Sequence, residues 1–206
     1  MPETLDPIDY EDILKSCGGR LSINDARILY NTAIEIDAQN IVEIGSMDGC
    51  SSMVFGYVCK QTGGHLYCLE PNPRTRWKGN MDRLGLADYA TTLMKASPWV
   101  IPTDVKLPID YLLIDGDHRT RWTLVDYHYW EPYVRPGGLI AFHDWTGANG
   151  VGEWVQRAVG IILETDELQE VVRNASKDRG IIVFRKPMEI LDPKGRNVPS
   201  FSRRMQ

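Results

Sequence analysis

The sequence is poor in several features, and each shortage removes a class of function. No run of 18 apolar residues occurs, which excludes a helix that crosses a membrane. The opening MPETLDPIDYED is acidic, unlike a signal peptide, so a cytoplasmic protein is expected. Basic charge is in short supply: 23 Lys and Arg face 28 Asp and Glu, for a net charge of −5. No broad face for nucleic acid is expected from that balance. Cysteine is scarce, with Cys17, Cys50, Cys59 and Cys68 and no Cys-x-x-Cys pair. Neither a zinc knuckle nor a disulfide framework is expected, and reduced thiols are the simplest reading. The dinucleotide signature Gly-x-Gly-x-x-Gly is absent, and no Lys follows a glycine turn as in a phosphate-cradling loop. There is no internal repeat and no low-complexity segment.

What is present is enough apolar residue, 43% of 206, for one α/β domain with a full core. Its centre is IVEIGSMDGCSS, Ile41 to Ser52. Ile41, Val42 and Ile44 are strand formers around one acid, Glu43. Gly45 and Gly49 bracket a polar turn, and Met53, Val54, Tyr57 and Val58 follow at helical spacing. This is the pattern of strand, tight turn and helix start in a doubly wound sheet. The glycines allow positive φ and close approach of a ligand. An acid inside the strand suits a ligand with positive charge. An ordinary strand-to-helix turn has the same pattern.

Before this unit, a short helix is expected over Tyr10 to Ser16. Ser22 reads as an N-cap for a helix carrying Ala26, Leu29, Tyr30 and Ala33. These N-terminal helices, within residues 1–38, either wall a substrate site or cover the sheet. After it, HLYCL over His65 to Leu69 is a second strand closed by Glu70. An acid there can accept hydrogen bonds from both hydroxyls of a ribose. Tyr89 to Met94 is a third strand. The run PIDYLLIDGDH delivers Asp115, Asp117 and His118 from a buried strand, Tyr111 to Ile114, to the carboxyl end of the sheet. A helix with Trp122, Val125, Tyr129, Trp130 and Tyr133 follows, and Arg135 to Gly138 breaks it. Strand Leu139 to Phe142 ends in His143 and Asp144.

Asp115, His143 and Asp144 thus converge from neighbouring strand ends. Carboxylates with an imidazole suit Mg²⁺ or Mn²⁺. They equally suit a general base, with His118 and His143 as the imidazoles. Polar groups that merely cap strand ends are the plain alternative. A helix over Glu153 to Leu163 and a late hairpin, Leu168 to Arg173 with Gly180 to Arg185, complete the sheet with an antiparallel last strand. Residues 1–186 form one domain in this reading, and 187–206 a tail. Lys186 to Gln206 holds five basic residues and two acids. It is a disordered tail, a lid, or a subunit contact of a homodimer.

The order of VEIGSMDGCSS, LYCLEP, DYLLIDGDH, Pro-Gly-Gly and LIAFHDW resembles class I S-adenosylmethionine (SAM)-dependent methyltransferases. More narrowly it resembles the small-molecule O-methyltransferases grouped with macrocin and cephalosporin-type enzymes, over about residues 20–186. The resemblance implies a mostly parallel Rossmann-like sheet and methyl transfer to a hydroxyl of a sugar, phenol or natural product. It implies SAM over Gly45 to Gly49, with Ser51 and Ser52 at the helix start. The ribose falls on Glu70, the adenine near Ala96 and Ser97, and the methionine part near Glu43 and Ser46. In that family a metal is held at positions matching Asp115, His143 and Asp144. His143 stands where the family has an acid, so a metal-free reaction stays open. Against these stand two other readings: a NAD or nucleotide-sugar enzyme, and a non-catalytic SAM-binding protein.

Overall fold

The computed structural model describes residues 8–18, 20–146, 150–176 and 179–188. The expected tail lies almost wholly outside these residues. Helix α1 spans Tyr10–Ser16, capped by Asp9, whose side chain accepts from the Asp12 N–H. Helix α2 spans Ile23–Glu35, and the Ser22 hydroxyl accepts from the Asp25 N–H at 3.0 Å. That bond satisfies one of the four N–H groups a helix start leaves open.

Strands β1 (Asn40–Ile44), β2 (His65–Leu69), β3 (Ala90–Leu93), β4 (Ile109–Ile114) and β5 (Val134–His143) are parallel. Strand β7 (Ile181–Arg185) runs antiparallel between β5 and β6 (Gln169–Asn174). The order across the sheet is β3-β2-β1-β4-β5-β7-β6. Helices α3 (Cys50–Thr62), α4 (Thr75–Arg83), α5 (Thr120–Trp130) and α6 (Val151–Thr165) complete the fold. Among the described residues no helix is long and apolar enough to cross a membrane.

Alternation along the strands divides the core into two layers. Ile41, Tyr111, Leu113, Leu139 and Ala141 pack toward α2 and α3, with Met53, Val54 and Phe55. Val42, Ile44, Leu112, Ile114, Ile140 and Phe142 pack toward α5 and α6, with Tyr127, Val155 and Val159. A strand's side-chain period of two produces this division, and burial on both faces explains the unbroken apolar runs. The chain leaves β1 toward β2 on one side, and β4 lies on the other. A crevice opens at the carboxyl ends there.

Two expectations need correction. Pro136-Gly137-Gly138 ends the helical region but lies inside β5, which begins at Val134 rather than Leu139. Gly137 donates to the Lys186 carbonyl and Gly138 accepts from the Lys186 N–H, so pairing with the neighbouring segment carries the strand through. The irregularity appears as a register shift between Ile109 and Tyr111. The four cysteines are not all reduced. Cys17 and Cys50 form a disulfide, with Cα atoms 5.6 Å apart, and Cys59 and Cys68 are free and buried. The end of α1 packs on the start of α3 across 33 residues of sequence, a proximity that cysteine spacing does not reveal. The thiols therefore give no argument for a reducing compartment.

Candidate active site

The crevice holds a cavity of about 510 Å³. Its floor is the turn after β1. Gly45 has φ +86°, and a Cβ there would lie 2.2 Å from the Asp115 carbonyl oxygen. Gly49 has φ +89°, and its Cβ would lie 2.9 Å from Cδ1 of Trp77. Both glycines are thus demanded by the backbone and by protein neighbours, before any ligand arrives. Glu70 closes β2 and organises the turn. Its Oε2 accepts from the N–H groups of Ser46 and Met47 at 3.3 and 3.2 Å, and its Oε1 from Asn72 at 2.9 Å. A carboxylate has about four acceptor positions, so these three bonds leave about one for a ligand hydroxyl.

Of the residues expected at a cofactor, Gly45, Ser46, Ser51, Glu70, Ala96, Ser97 and Asp115 line the cavity. Glu43, Gly49 and Ser52 lie beneath it. Glu43 shares the face of Ile41, two residues earlier, and so points under α3. It is fully buried and accepts from the Ser51 hydroxyl, from Ser52 Oγ at 2.5 Å and from Cys68 Sγ at 3.1 Å. Burial pushes its carboxyl up to about 7, against those three donors, and Asp115 adds to the rise. The strand acid therefore supports the turn from below. Two buried atoms above it have no hydrogen-bond partner among the described residues: Ser46 Oγ and Asp48 Oδ1. Both residues line the cavity. Leaving such atoms unpaired costs about 1–3 kcal/mol each, so they mark a place for a polar ligand.

At the opposite wall, Asp115, His118 and Asp144 each offer an atom within 4.8 Å of the others. Asp144 adopts φ +54°, an uncommon backbone for a residue with a Cβ. His118 Nε2 lies 3.1 Å from Asp144 Oδ2. Burial raises the Asp144 carboxyl pKa and Asp115 adds to it, while His143, His118 and Arg179 oppose the rise. Two acids and an imidazole at this spacing fit a divalent cation.

His143 stands elsewhere than its sequence position suggested. It is buried outside the cavity, with Nδ1 3.0 Å from Asp115 Oδ1 and Nε2 3.8 Å from Asp25 Oδ2. Burial opposes its charge, but Asp115, Asp25 and Asp144 outweigh that and raise its pKa to about 10. Its ring nitrogens thus face Asp115 and Asp25, and the group of ligand atoms within 4.8 Å of one another comes from Asp115, His118 and Asp144 without it. His118 occupies the place expected of His143 in the cluster.

Sequence reasoning missed Asp25, Arg20, Asp48, Asp126 and Arg179, of which all but Asp25 line the cavity. Asp25 is fully buried at the start of α2, bonded to Ser22 and to Asn174 of β6. An acid just after an N-cap looks like a surface capping group, and no sequence signal marks it as the anchor of His143.

The fold has many relatives of known structure. An O-methyltransferase from Bacillus cereus, solved with SAH, matches with a TM-score of 0.70 and 18% identity, over 89% of this chain and 94% of that one. Cofactor-bound Rv0187 from MTB matches with a TM-score of 0.72 and 19% identity, over 89% and 93%. The O-methyltransferase TomG from Streptomyces achromogenes, involved in tomaymycin synthesis and solved with SAM, has a TM-score of 0.69 and 13% identity, over 86% and 89%. These likenesses show the fold. A family model described as a methyltransferase domain matches residues 42–145, from the first strand through both strand ends of the acidic cluster. On that match, covering half the sequence and the whole cavity floor, the chain belongs to the methyltransferase-domain family.

Proposed function

We propose that this chain transfers a methyl group from SAM to a hydroxyl oxygen of a small molecule. The observation that carries the reading is the pair of orphaned buried atoms, Ser46 Oγ and Asp48 Oδ1, beside Glu70 in one cavity. The ammonium and carboxylate of a methionine end supply what those atoms lack, with Arg20 and Asp48 of opposite charge at the same edge, 3.7 Å apart. The ribose then falls to Glu70 and the base to Ala96 and Ser97. Neighbours solved with SAM or SAH share this fold.

The methyl group faces Asp115, His118 and Asp144 in this arrangement. The acceptor oxygen attacks the methyl carbon, the carbon–sulfur bond breaks, SAH remains and the hydroxyl proton leaves. His118, oriented by Asp144 at 3.1 Å, is placed to take that proton. Asp115, His118 and Asp144 would also hold a divalent cation, which supplies polarisation of the acceptor oxygen. Alignment of the two reactants contributes a large share of the acceleration. Calorimetry with SAH, SAM and NAD tests the reading: micromolar affinity for SAH with no response to NAD supports it, and silence with SAH ends it. Turnover in EDTA separates the two roles of His118. Full activity in chelator assigns it as the base, and abolished activity restored by Mg²⁺ or Mn²⁺ assigns it as a ligand.

A further inference from the structure

Arg179 lines the cavity beside Asp144 and has no task in the reading above. Its backbone is fixed. Thr146, just past the end of β5, donates its N–H and its hydroxyl to the Arg179 carbonyl at 2.6 and 2.8 Å. The Trp145 N–H donates to the Gly180 carbonyl at 3.1 Å. Gly180 has φ +78°, and a Cβ there would lie 2.4 Å from the Asn174 carbonyl oxygen. The turn before β7 is thus locked against the end of β5. The Arg179 side chain, 33% exposed, stands at the rim beside the reacting groups.

Each acid of this wall has a closer partner than Arg179. Asp117 accepts from Arg119 Nε at 2.9 Å, Asp115 Oδ1 faces His143 Nδ1 at 3.0 Å, and Asp144 Oδ2 faces His118 Nε2 at 3.1 Å. Arg179 Nη1 lies 3.9 Å from Asp144 Oδ1, too far for a hydrogen bond. Among the described residues its guanidinium makes none. A guanidinium presents five N–H donors in a planar fork, and here they face the cavity unused. The other arginines of the cavity differ: Arg119 is bound to Asp117, and Arg20 sits by Asp48, where the methionine end is placed. One carboxylate therefore separates His118, on Oδ2, from Arg179, on Oδ1. A molecule that reaches both from the cavity has a hydroxyl and an anion a few bonds apart. One guanidinium balances one negative charge, which a carboxylate carries and a phosphate, at about −1.5 to −2, exceeds.

We propose that the acceptor is a hydroxy acid, whose carboxylate is held by the Arg179 fork while its hydroxyl lies at His118. The inference rests on the methyl-transfer reading above and narrows its acceptor from small molecules in general to acids. Two parallel N–H···O bonds fix the plane of a carboxylate as well as its position, and so aim the neighbouring oxygen. The methyl group goes to the hydroxyl oxygen, and the carboxylate is not altered.

Calorimetry on the SAH-saturated protein tests this with 2-hydroxybenzoate and mandelate, each against its carboxamide. The wild type is expected to bind at least one acid in the millimolar range or tighter. It should prefer that acid to its amide by about tenfold or more, the weight of one hydrogen bond to a charged group. Arg179→Gln should reduce the preference to about twofold or less, with SAH affinity unchanged. Arg179→Lys keeps the charge without the fork and should fall between the two. Arg119→Gln removes the same charge from the same cavity and should keep the full preference. Its loss in both glutamine variants would assign it to the general charge of the mouth and overturn the proposal. So would an Arg179→Gln protein that keeps the preference. A wild type that binds SAH but neither acid, or acid and amide alike, overturns it without recourse to any variant. Silence with SAH itself removes the methyl-transfer reading, and this proposal with it, so the two failures are distinguishable.

Discussion

Glu43→Gln is the perturbation that most directly separates a support role from a cofactor role. The Glu43 carboxyl is fully buried, and burial raises it from 4.5 to about 7. A group raised in the folded state contributes stability that is complete below pH 4.5. That contribution is lost as the pH climbs through 7. At 1.36 kcal/mol per unit, the ionised form costs the fold about 3 kcal/mol in alkaline solution. Glutamine removes the titration and keeps the shape. Its orientation is also determined: Trp77 Nε1 donates to Ser52 Oγ at 2.9 Å, so the Ser52 proton must go to residue 43. The amide oxygen then faces Ser52 and Cys68, and the amide nitrogen faces Ser51, whose hydroxyl can accept. Urea unfolding followed by tryptophan fluorescence at pH 5 and pH 8.5 reads the result. Near-equal stability is expected at pH 5, with the variant ahead by about 2–3 kcal/mol at pH 8.5. A variant equally destabilised at both values refutes the buried, neutral acid. Because Glu43 lies beneath the cavity, SAH affinity should stay within twofold, and a tenfold loss would return Glu43 to the cofactor.

Glu70→Gln should weaken SAH by about 1.5–3 kcal/mol, since one amide end cannot accept both the turn N–H groups and a ribose hydroxyl; unchanged affinity in calorimetry removes the ribose assignment. Asp144→Ala should lower turnover at least a hundredfold while SAH affinity moves less than threefold, and parallel losses would place Asp144 at the cofactor instead. Cys17→Ser with Cys50→Ser should cost roughly 3–4 kcal/mol in denaturant unfolding, from closure of a loop of 33 residues. Thiol titration of the unfolded, unreduced chain should then count Cys59 and Cys68 alone, and four reactive thiols would disprove the pairing.

The fold was legible wherever one local pattern determined it. Ile41 to Ser52, HLYCL and DYLLID carry strand periodicity ended by glycine or acid, and each forms the strand expected. The lining of the candidate site was legible where strand ends deliver residues directly: Glu70, Asp115 and Asp144 all line the cavity. It was misread where the direction of a side chain matters. Glu43 follows Ile41 by two, which already assigns it to the face covered by α3. His143 is the last residue of β5 and still obeys the strand's alternation, so it turns inward, whereas His118 leaves on a loop. Asp126 carried a signal that went unused, a lone acid four residues from both Trp122 and Trp130 on one helix face. The Cys17–Cys50 bond and the Asp25–His143 pair join segments remote in sequence, and only the packed fold brings them together.

The walls of the cavity come from different parts of the chain. Ile44 to Asp126 supplies the floor, the Glu70 edge and the Asp126 corner. The remaining rim comes from the two flanks, Arg20 and Leu21 before the sheet begins, and Asp144 and Arg179 after β4 has been laid down. Such a division makes the central segment a reusable cartridge. Exchange of the flanking segments between relatives would recast the charge at two places on the rim, beside Asp48 through Arg20 and beside Asp115 through Asp144, while the floor stayed as it is, so the two ends of the cavity can change by recombination at two loops rather than by redesign of the whole.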